Sequence, residues 1–192
     1  AIKRIPDYDR QIRNVEYSVR PGSMLAGKTV GIIGAGRIGR RVGALTECLG
    51  CRVIWHDPFC RDELPGSWVK KARLEDLLAE ADIVTIHAAA QGEQKPILDR
   101  HSFSLCRKGV IIINTARASF IDEPALADAI SAGQVSAACL DVQSKEPYDG
   151  PLLLSGNVII TPHVASNTLE SRRTMEMEAV KNLADALEAM KQ

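Results

Sequence analysis

Short apolar runs alternate with longer stretches of helical periodicity along most of this chain. The first run, Thr29–Ile33, is closed by a glycine, and the helical spacing that follows over residues 37–49 ends at Gly50. Further apolar runs lie at residues 52–55, 67–70, 82–87, 110–114, 135–140 and 158–160. Continuously apolar strands are typical of a parallel sheet with helices over both faces. The pattern predicts an α/β fold, a doubly wound parallel sheet of about seven strands with helices on both faces.

Helical periodicity fills the segments between the later strands. Helices are predicted at residues 74–80, 99–106, 122–132 and 166–190. In the last of these, Val180, Leu183 and Leu187 recur at helical spacing. We expect that apolar stripe to pack in the core.

Residues 1–26 stand outside the alternation. Ile2–Ser18 is charged and weakly periodic, and Arg20-Pro21-Gly22-Ser23 then interrupts the chain. Two interpretations stay open: a helix that reaches toward something outside the sheet, and a solvated N-terminal arm. The segment has no apolar stretch typical of a secretory signal. The chain begins at Ala1, which we interpret as a trimmed or excised piece, although removal of an initiator Met alone would give the same start.

Composition and charge narrow the function classes. Of 192 residues, 45% are hydrophobic and 25% are charged, and 24 basic side chains balance 24 acidic ones. Without a basic excess, no nucleic-acid partner is expected, and no apolar run approaches the ~20 residues of a membrane span. Five cysteines are an odd number and too few for a disulfide scaffold, which favours a cytoplasmic location.

Two of the cysteines form a Cys48-x-x-Cys51 pair. A thioredoxin-type thiol needs a helix N-terminus, whereas Gly50 between them looks like a helix C-cap. A zinc site would need two more ligands nearby. We therefore expect two small buried hydrophobic residues here, and no metal.

Gly34-Ala35-Gly36-Arg37-Ile38-Gly39 is a G-x-G-x-x-G motif between a predicted strand and a predicted helix. In such a motif the first glycine makes the tight turn, the second lets a pyrophosphate approach, and the third allows close helix–strand packing. The helix N-terminus adds unpaired N–H groups and the positive end of its dipole. The motif therefore predicts a Rossmann-type dinucleotide site.

Asp57 follows the second predicted strand. It lies at roughly the 20-residue offset at which an acidic side chain meets the adenosine ribose hydroxyls. A carboxylate there accepts hydrogen bonds from those hydroxyls and repels a 2′-phosphate, which favours NAD over NADP. Arg61, close by in sequence, keeps NADP open as an alternative.

Polar side chains follow the later strands at the edge where doubly wound sheets bind ligands. Arg117 follows the strand at 110–114, Asp141 and Glu146 follow the strand at 135–140, and His163 follows the last strand. A guanidinium binds a planar carboxylate in two places. A carboxylate fixes the tautomer of a neighbouring imidazole. The set points to acid–base chemistry beside a nucleotide, although each residue alone is equally typical of an ordinary surface position.

With these motifs in order, the chain resembles the nucleotide-binding domain of the D-isomer-specific 2-hydroxyacid dehydrogenases. The resemblance covers about Leu25 to Ser166. The matching segments are 27–39 with the glycine motif, His56-Asp57-Pro58, Asn114-Thr115-Ala116-Arg117, Leu140-Asp141-Val142 with Glu146-Pro147, and Thr161-Pro162-His163. Five ordered motifs are far more specific than any one of them.

The resemblance implies a role for each matched residue. Arg117 would bind the substrate, and Glu146 and His163 would form the Glu–His pair in which the histidine is the acid and base. Asp141 would hold the nicotinamide carboxamide. The implied NAD contacts are Gly34, Gly36, Arg37, Ile38, Gly39, Asp57, His87, Ala88, Thr115, Ala116, Arg117, Asp141 and His163.

The sequence departs from the family pattern in three respects. Ala118 stands where the family usually has glycine. His87-Ala88-Ala89-Ala90 lacks the usual Pro and Thr, which puts cofactor contacts there in doubt. We expect the family's substrate domain to be absent from this chain, so residues 1–24 would be an interdomain helix and linker and residues 25–192 the NAD-binding domain.

The resemblance implies hydride transfer between NAD and a 2-hydroxy or 2-oxo acid, and a homodimer formed through the nucleotide-binding domains. Two other functions stay open. The same fold and residues occur in NAD-sensing transcriptional corepressors. The chain by itself would also serve as a nucleotide-binding module that is inactive without its partner domain.

Overall fold

A computed structural model describes residues 2–65, 67–89 and 95–190. Seven strands form one sheet: β1 (Thr29–Ile33), β2 (Arg52–His56), β3 (Val69–Lys70), β4 (Ile83–Ile86), β5 (Val110–Asn114), β6 (Val135–Leu140) and β7 (Val158–Ile160). Every pair is parallel, in the order β3-β2-β1-β4-β5-β6-β7. The predicted doubly wound parallel sheet is confirmed.

Six α-helices accompany the sheet: α1 (Ile5–Arg13), α2 (Arg37–Cys48), α3 (Leu74–Glu80), α4 (Arg100–Leu105), α5 (Glu123–Ser131) and α6 (Leu169–Ala189). Short 3₁₀ turns lie at Ala118–Phe120 and Pro151–Leu154. Asp99, Asp122 and Thr168 cap α4, α5 and α6, each side chain accepting a hydrogen bond from a backbone N–H of the first turn. No helix within the described ranges combines the length and the apolar character that a membrane crossing requires.

The strand register brings the carboxyl ends of six strands to one level. Ile33 at the end of β1 pairs with His56 on one side and Ile86 on the other. The same level continues through Asn114, Leu140 and Ile160 at the ends of β5, β6 and β7. Segments that follow these strands therefore leave the sheet along one edge. The strand order reverses between β1 and β4, which is where doubly wound sheets bind their ligands.

The core has two parts, one on each face of the sheet, as predicted. On one face α3, α4 and α5 cover the strands, and Leu77, Phe103 and Leu126 are buried there. On the other face Val53 and Trp68 are buried beneath α2. Helix α2 approaches this cluster closely because it presents a glycine there: a Cβ on Gly43 would lie 2.2 Å from Cη2 of Trp68.

The expectation that the final helix packs in the core is wrong. No residue of α6 is buried, and Val180, Leu183 and Leu187 are between 51% and 65% exposed. Helical spacing shows which side chains share a face of the helix, but not whether another element lies against that face. The expected burial of Cys48 is also wrong: Cys51 is buried in the second core cluster, whereas Cys48 lies exposed at the end of α2.

The N-terminal segment forms a helix, α1, over part of the charged stretch. Its side chains are not buried, and Tyr8 donates a hydrogen bond to the backbone carbonyl of Arg20. The helical interpretation is thus confirmed for Ile5–Arg13. What this helix reaches toward stays a prediction.

Candidate cofactor and acid–base site

The glycine loop connects β1 to α2, and each of its glycines has a different environment. Gly34 adopts φ +94°, and a Cβ there would lie 2.5 Å from the backbone N of Ala88. A Cβ on Gly39 would lie 2.0 Å from the carbonyl oxygen of Gly34. Around Gly36, apart from its chain neighbours, no atom of the described residues lies within 4 Å of the Cβ position. The first and third glycines are therefore required by packing, whereas the second leaves an open approach to the backbone.

The N-terminus of α2 faces the same open space. Gly36 is the N-cap residue, and no side chain caps the helix. Gly36, Arg37 and Ile38 are exposed. The first N–H groups of a helix have no partner within it, so this end offers donors and a positive dipole to an anion. These residues fit the pyrophosphate of a dinucleotide.

Asp57 connects the glycine loop to the segment after β2. Its Oδ2 accepts a hydrogen bond from the N–H of Ala35 at 2.8 Å, and its Oδ1 accepts from the N–H groups of Phe59 at 2.8 Å and Cys60 at 3.1 Å. It lines a shallow cleft of about 360 Å³ together with Gly36 and neighbouring residues. Oδ1 already accepts two hydrogen bonds and Oδ2 only one, so Oδ2 keeps a lone pair for a further donor such as a ribose hydroxyl.

Arg40 lines the same cleft, and sequence reasoning did not single it out. Its Nε donates to the carbonyl of Ala35 at 2.7 Å, and its guanidinium pairs with Asp62. The signal available in the sequence was its place one helical turn after Gly36. Arg61, which kept NADP open, lines this cleft as well.

His87 lies behind the glycine loop. Its backbone N–H donates to the carbonyl of Ile33 at 2.7 Å, and its ring Nε2 lies 2.9 Å from Oγ1 of Thr85. Burial lowers the pKa of His87, so the ring is neutral at neutral pH. Ala88 packs against Gly34, while Ala90, the last residue of the departure noted above, lies outside the described residues.

Asn114 shapes the segment that carries Arg117. This side chain is 1% exposed, its Nδ2 donates to the carbonyl of Arg117 at 2.8 Å, and its Oδ1 accepts from the N–H of Ala116 at 3.0 Å. Thr115 and Arg117 are exposed at the sheet edge. Sequence reasoning quoted Asn114 within a motif without assigning it a role. An amide at the end of an otherwise apolar strand was the signal.

Asp141 follows β6 and is only 4% exposed. Its Oδ1 accepts from Thr161 Oγ1 at 2.6 Å and from the N–H of Val164 at 2.9 Å, and its Oδ2 accepts from the N–H of Ala165 at 2.7 Å. Burial opposes ionisation, but these hydrogen bonds outweigh it and hold the pKa of Asp141 below its ordinary value. Both oxygens thus contact the segment that carries His163.

His163 and Glu146 meet at this edge. Nδ1 of His163 lies 3.5 Å from Oε1 of Glu146, and the two side chains are 52% and 59% exposed. His163 adopts φ +54°. With Nδ1 facing the carboxylate, Nε2 is left for another partner. Arg117 leaves the same sheet edge, although no hydrogen bond or ion pair between described residues joins it to this pair.

The sequence model of one family, D-isomer specific 2-hydroxyacid dehydrogenase, NAD binding domain, matches residues 1–165. The chain belongs to this family. It is 37% identical to D-3-phosphoglycerate dehydrogenase of Archaeoglobus fulgidus, over 97% of this chain and 37% of that protein. It is 39% identical to glyoxylate reductase of Aeropyrum pernix, over 84% of this chain and 49% of that protein. The chain thus spans half or less of these curated relatives.

Solved structures of 2-hydroxyacid dehydrogenases superimpose closely on this NAD-binding domain. A glyoxylate reductase from Paecilomyes thermophila matches with a TM-score of 0.89 and 31% identity, over 97% of this chain and 58% of that one. D-lactate dehydrogenase from Aquifex aeolicus, solved with NAD and lactic acid, matches with a TM-score of 0.86 and 29% identity, over 98% and 62%. The fold and family predicted from the sequence are confirmed.

Proposed function

We propose that this 2-hydroxyacid dehydrogenase domain supplies the NAD-binding and acid–base half of an enzyme that interconverts 2-hydroxy and 2-oxo acids. One observation carries the proposal: His163 and Glu146 meet at 3.5 Å on the same sheet edge as the open glycine loop. A dinucleotide with its pyrophosphate at Gly36 would lie along that edge.

The chemistry divides between cofactor and protein. When bound, the oxidised cofactor would accept the hydride and the reduced cofactor would donate it. During reduction, His163 donates a proton from Nε2 to the carbonyl oxygen of the oxo acid, and Glu146 stabilises the imidazolium through Nδ1. Arg117 binds the substrate carboxylate through two parallel hydrogen bonds. It is exposed, and the nearby buried Asn114 shapes the loop that carries it.

Asp57 supports a preference for NAD over NADP. Its carboxylate lies in the cleft beside the glycine loop, where a ribose 2′-phosphate would meet a negative charge. One of the solved relatives, an imino acid reductase, was crystallised with NADPH. Comparison of the NADH and NADPH affinities of this chain tests the preference directly.

The rest of the enzyme is proposed from the family. Residues 1–24 would be the interdomain helix and linker, residues 25–192 the NAD-binding domain, and a substrate domain would form the other wall of the cleft. Residues 1–192 on their own would supply one wall, and water would not be excluded from the reacting atoms. We therefore expect this chain to bind NADH but to turn over 2-oxo acids poorly.

Assembly and location are part of the proposal. We propose a cytoplasmic homodimer formed through this domain. Exposed apolar side chains on α2 and at its C-cap support a partner surface: Leu45 is 66% exposed and Leu49 is 58% exposed. The five cysteines are free thiols, which fits a reducing compartment. Sedimentation of the purified chain tests the dimer.

The activity is tested by a His163→Ala substitution in a protein that joins this domain to its substrate domain. Loss of the proton donor should lower turnover with a panel of 2-oxo acids by about 10²- to 10⁴-fold, with NADH affinity nearly unchanged. His101→Ala, which removes an exposed histidine of α4, is the matched control and should change neither. Unimpaired turnover in the His163 variant, or none in the unmodified protein with any 2-oxo acid, would contradict the proposal.

A further inference from the structure

Two buried carboxylates at the carboxyl edge of the sheet contact neither the glycine loop nor, among the described residues, a basic side chain. Glu123, the first residue of α5, is 8% exposed, and Asp141 is 4% exposed. No ion pair between described residues involves either carboxylate. A buried carboxylate is costly unless hydrogen bonds compensate for lost water. The partners that provide this compensation show what each carboxylate does.

Glu123 binds the segment that carries Glu146. Its Oε1 accepts from the N–H of Ser144 at 2.7 Å, and its Oε2 accepts from Oγ of the same serine at 2.8 Å. Both carboxylate oxygens thus contact Ser144, two positions before Glu146, and Tyr148 of the same segment also lies beside the carboxylate. This contact joins the start of α5 to a segment 21 residues further along the chain.

Asp141 binds the segment that carries His163. Its three hydrogen bonds come from Thr161 on one side of the histidine and from Val164 and Ala165 on the other. His163 itself has φ +54°, a conformation that costs free energy for a residue with a side chain. Bonds on both flanks hold the backbone in that conformation and so direct the imidazole.

We propose that Glu123 and Asp141 are paired positioning residues: each holds one of two neighbouring segments, so that the carboxylate of Glu146 meets Nδ1 of His163. The inference rests on the proposed function, because it assigns these residues to the acid–base pair. It differs from the role implied by the family resemblance, in which Asp141 holds the nicotinamide.

The tautomer of His163 reports this positioning directly. A carboxylate beside Nδ1 fixes the neutral ring as the Nδ1–H tautomer, whereas a solvated imidazole favours Nε2–H. Nitrogen-15 NMR of the imidazoles in this chain distinguishes the two forms, and a His163→Gln variant assigns the signal among the 4 histidines. The measurement needs neither substrate nor cofactor.

The two carboxylates should respond differently to amide substitution. Glu123→Gln keeps an oxygen for the Ser144 N–H and offers an N–H₂ group to its hydroxyl, so the tautomer should be unchanged. Glu123→Ala removes both bonds and should shift the ring toward Nε2–H. Asp141→Asn should shift it as well, because a backbone N–H points at each of its oxygens and the new N–H₂ group opposes one of them.

Milder variants and controls separate a change in the His163 tautomer from a general loss of folding. Ser144→Ala and Thr161→Val each remove one side-chain hydrogen bond and should shift the tautomer part of the way. Asp128→Asn on the same helix and Asp149→Asn near Glu146 change exposed carboxylates and should leave it unchanged. In the complete enzyme the Glu123→Ala variant should lose about 10- to 100-fold in kcat while its KM for NADH stays within about twofold.

Three results would overturn the proposal. They are an unmodified chain without a majority of Nδ1–H, an unchanged tautomer in both Glu123→Ala and Asp141→Asn, and an Asp141 variant that loses NADH affinity with its tautomer intact. The last would make Asp141 a cofactor ligand. Failure of the proposed function looks different: no 2-oxo acid would be turned over, although the tautomer responded as described.

Discussion

Gly36→Ala should weaken cofactor binding and Gly39→Ala should destabilise the fold, although the two positions lie within one short loop. A Cβ on Gly39 would lie 2.0 Å from a backbone oxygen that cannot rotate away, so β1 and α2 must move apart. Such overpacking costs about 1–3 kcal/mol. For a chain of this size that corresponds to a Tm lower by roughly 2 to 12 °C.

Gly36→Ala should leave the fold intact. Apart from its chain neighbours, the new Cβ meets no atom within 4 Å in the part of the chain that the structure describes, and φ −75° with ψ −166° is accessible to alanine. Alanine is a poorer N-cap residue than glycine, which destabilises the fold, but it also makes the unfolded chain less flexible, which stabilises the fold. The free energy of unfolding should therefore change by less than about 1 kcal/mol. The methyl group would, however, occupy the approach to the α2 N-terminus. Loss of one hydrogen bond to a charged phosphate, about 1.5–3 kcal/mol, weakens NADH binding by about 10- to 150-fold.

Thermal unfolding and calorimetric titration with NADH measure the two effects on the same samples. Gly156→Ala is the matched control, because its Cβ would also meet no described residue within 4 Å beyond its chain neighbours, and it should change neither property. A Gly36 variant that binds NADH like the unmodified chain would refute the position of the pyrophosphate. A Gly39 variant of unchanged Tm would refute the packing argument.

Three further predictions concern reactivity and stability. Burial raises the pKa of Cys106 to about 12. Iodoacetamide near pH 8.5 should therefore alkylate the exposed Cys48 in the folded chain, but Cys106 only after denaturation. Equal labelling of the two in peptide mass spectrometry would contradict this. The pKa of Asp141 in the folded chain lies below 3.8, so its ionised form stabilises the fold above about pH 4. The loss of unfolding free energy caused by Asp141→Asn, measured by urea unfolding, should therefore shrink as the pH falls through that folded pKa. A loss that does not depend on pH would argue against this. Gly43→Ala should cost about 1–3 kcal/mol against the Trp68 ring, seen as a lower Tm, and an unchanged Tm would show that the ring moves freely.

Much of the fold was determined locally and could be predicted from the sequence. Apolar runs marked each strand, and Asp122 marked the start of α5 with a side chain that accepts from a backbone N–H three residues on. The glycine motif was predictable because a positive φ at Gly34 and close packing at Gly39 are constraints that only glycine satisfies. These features depend on neighbours within a few residues.

Other properties were decided by contacts between distant segments. The register that places Ile33 level with Asn114 and Ile160 arises from pairings across the whole sheet. Glu123 was predicted as a helix residue, yet its partner lies 21 positions away, and the three hydrogen bonds to Asp141 come from positions 20 to 24 residues later. Periodicity also described the apolar stripe of α6 but not its exposure. A local pattern constrains which residue types share a face, whereas burial and hydrogen-bond partners depend on which other segment the folded chain brings there.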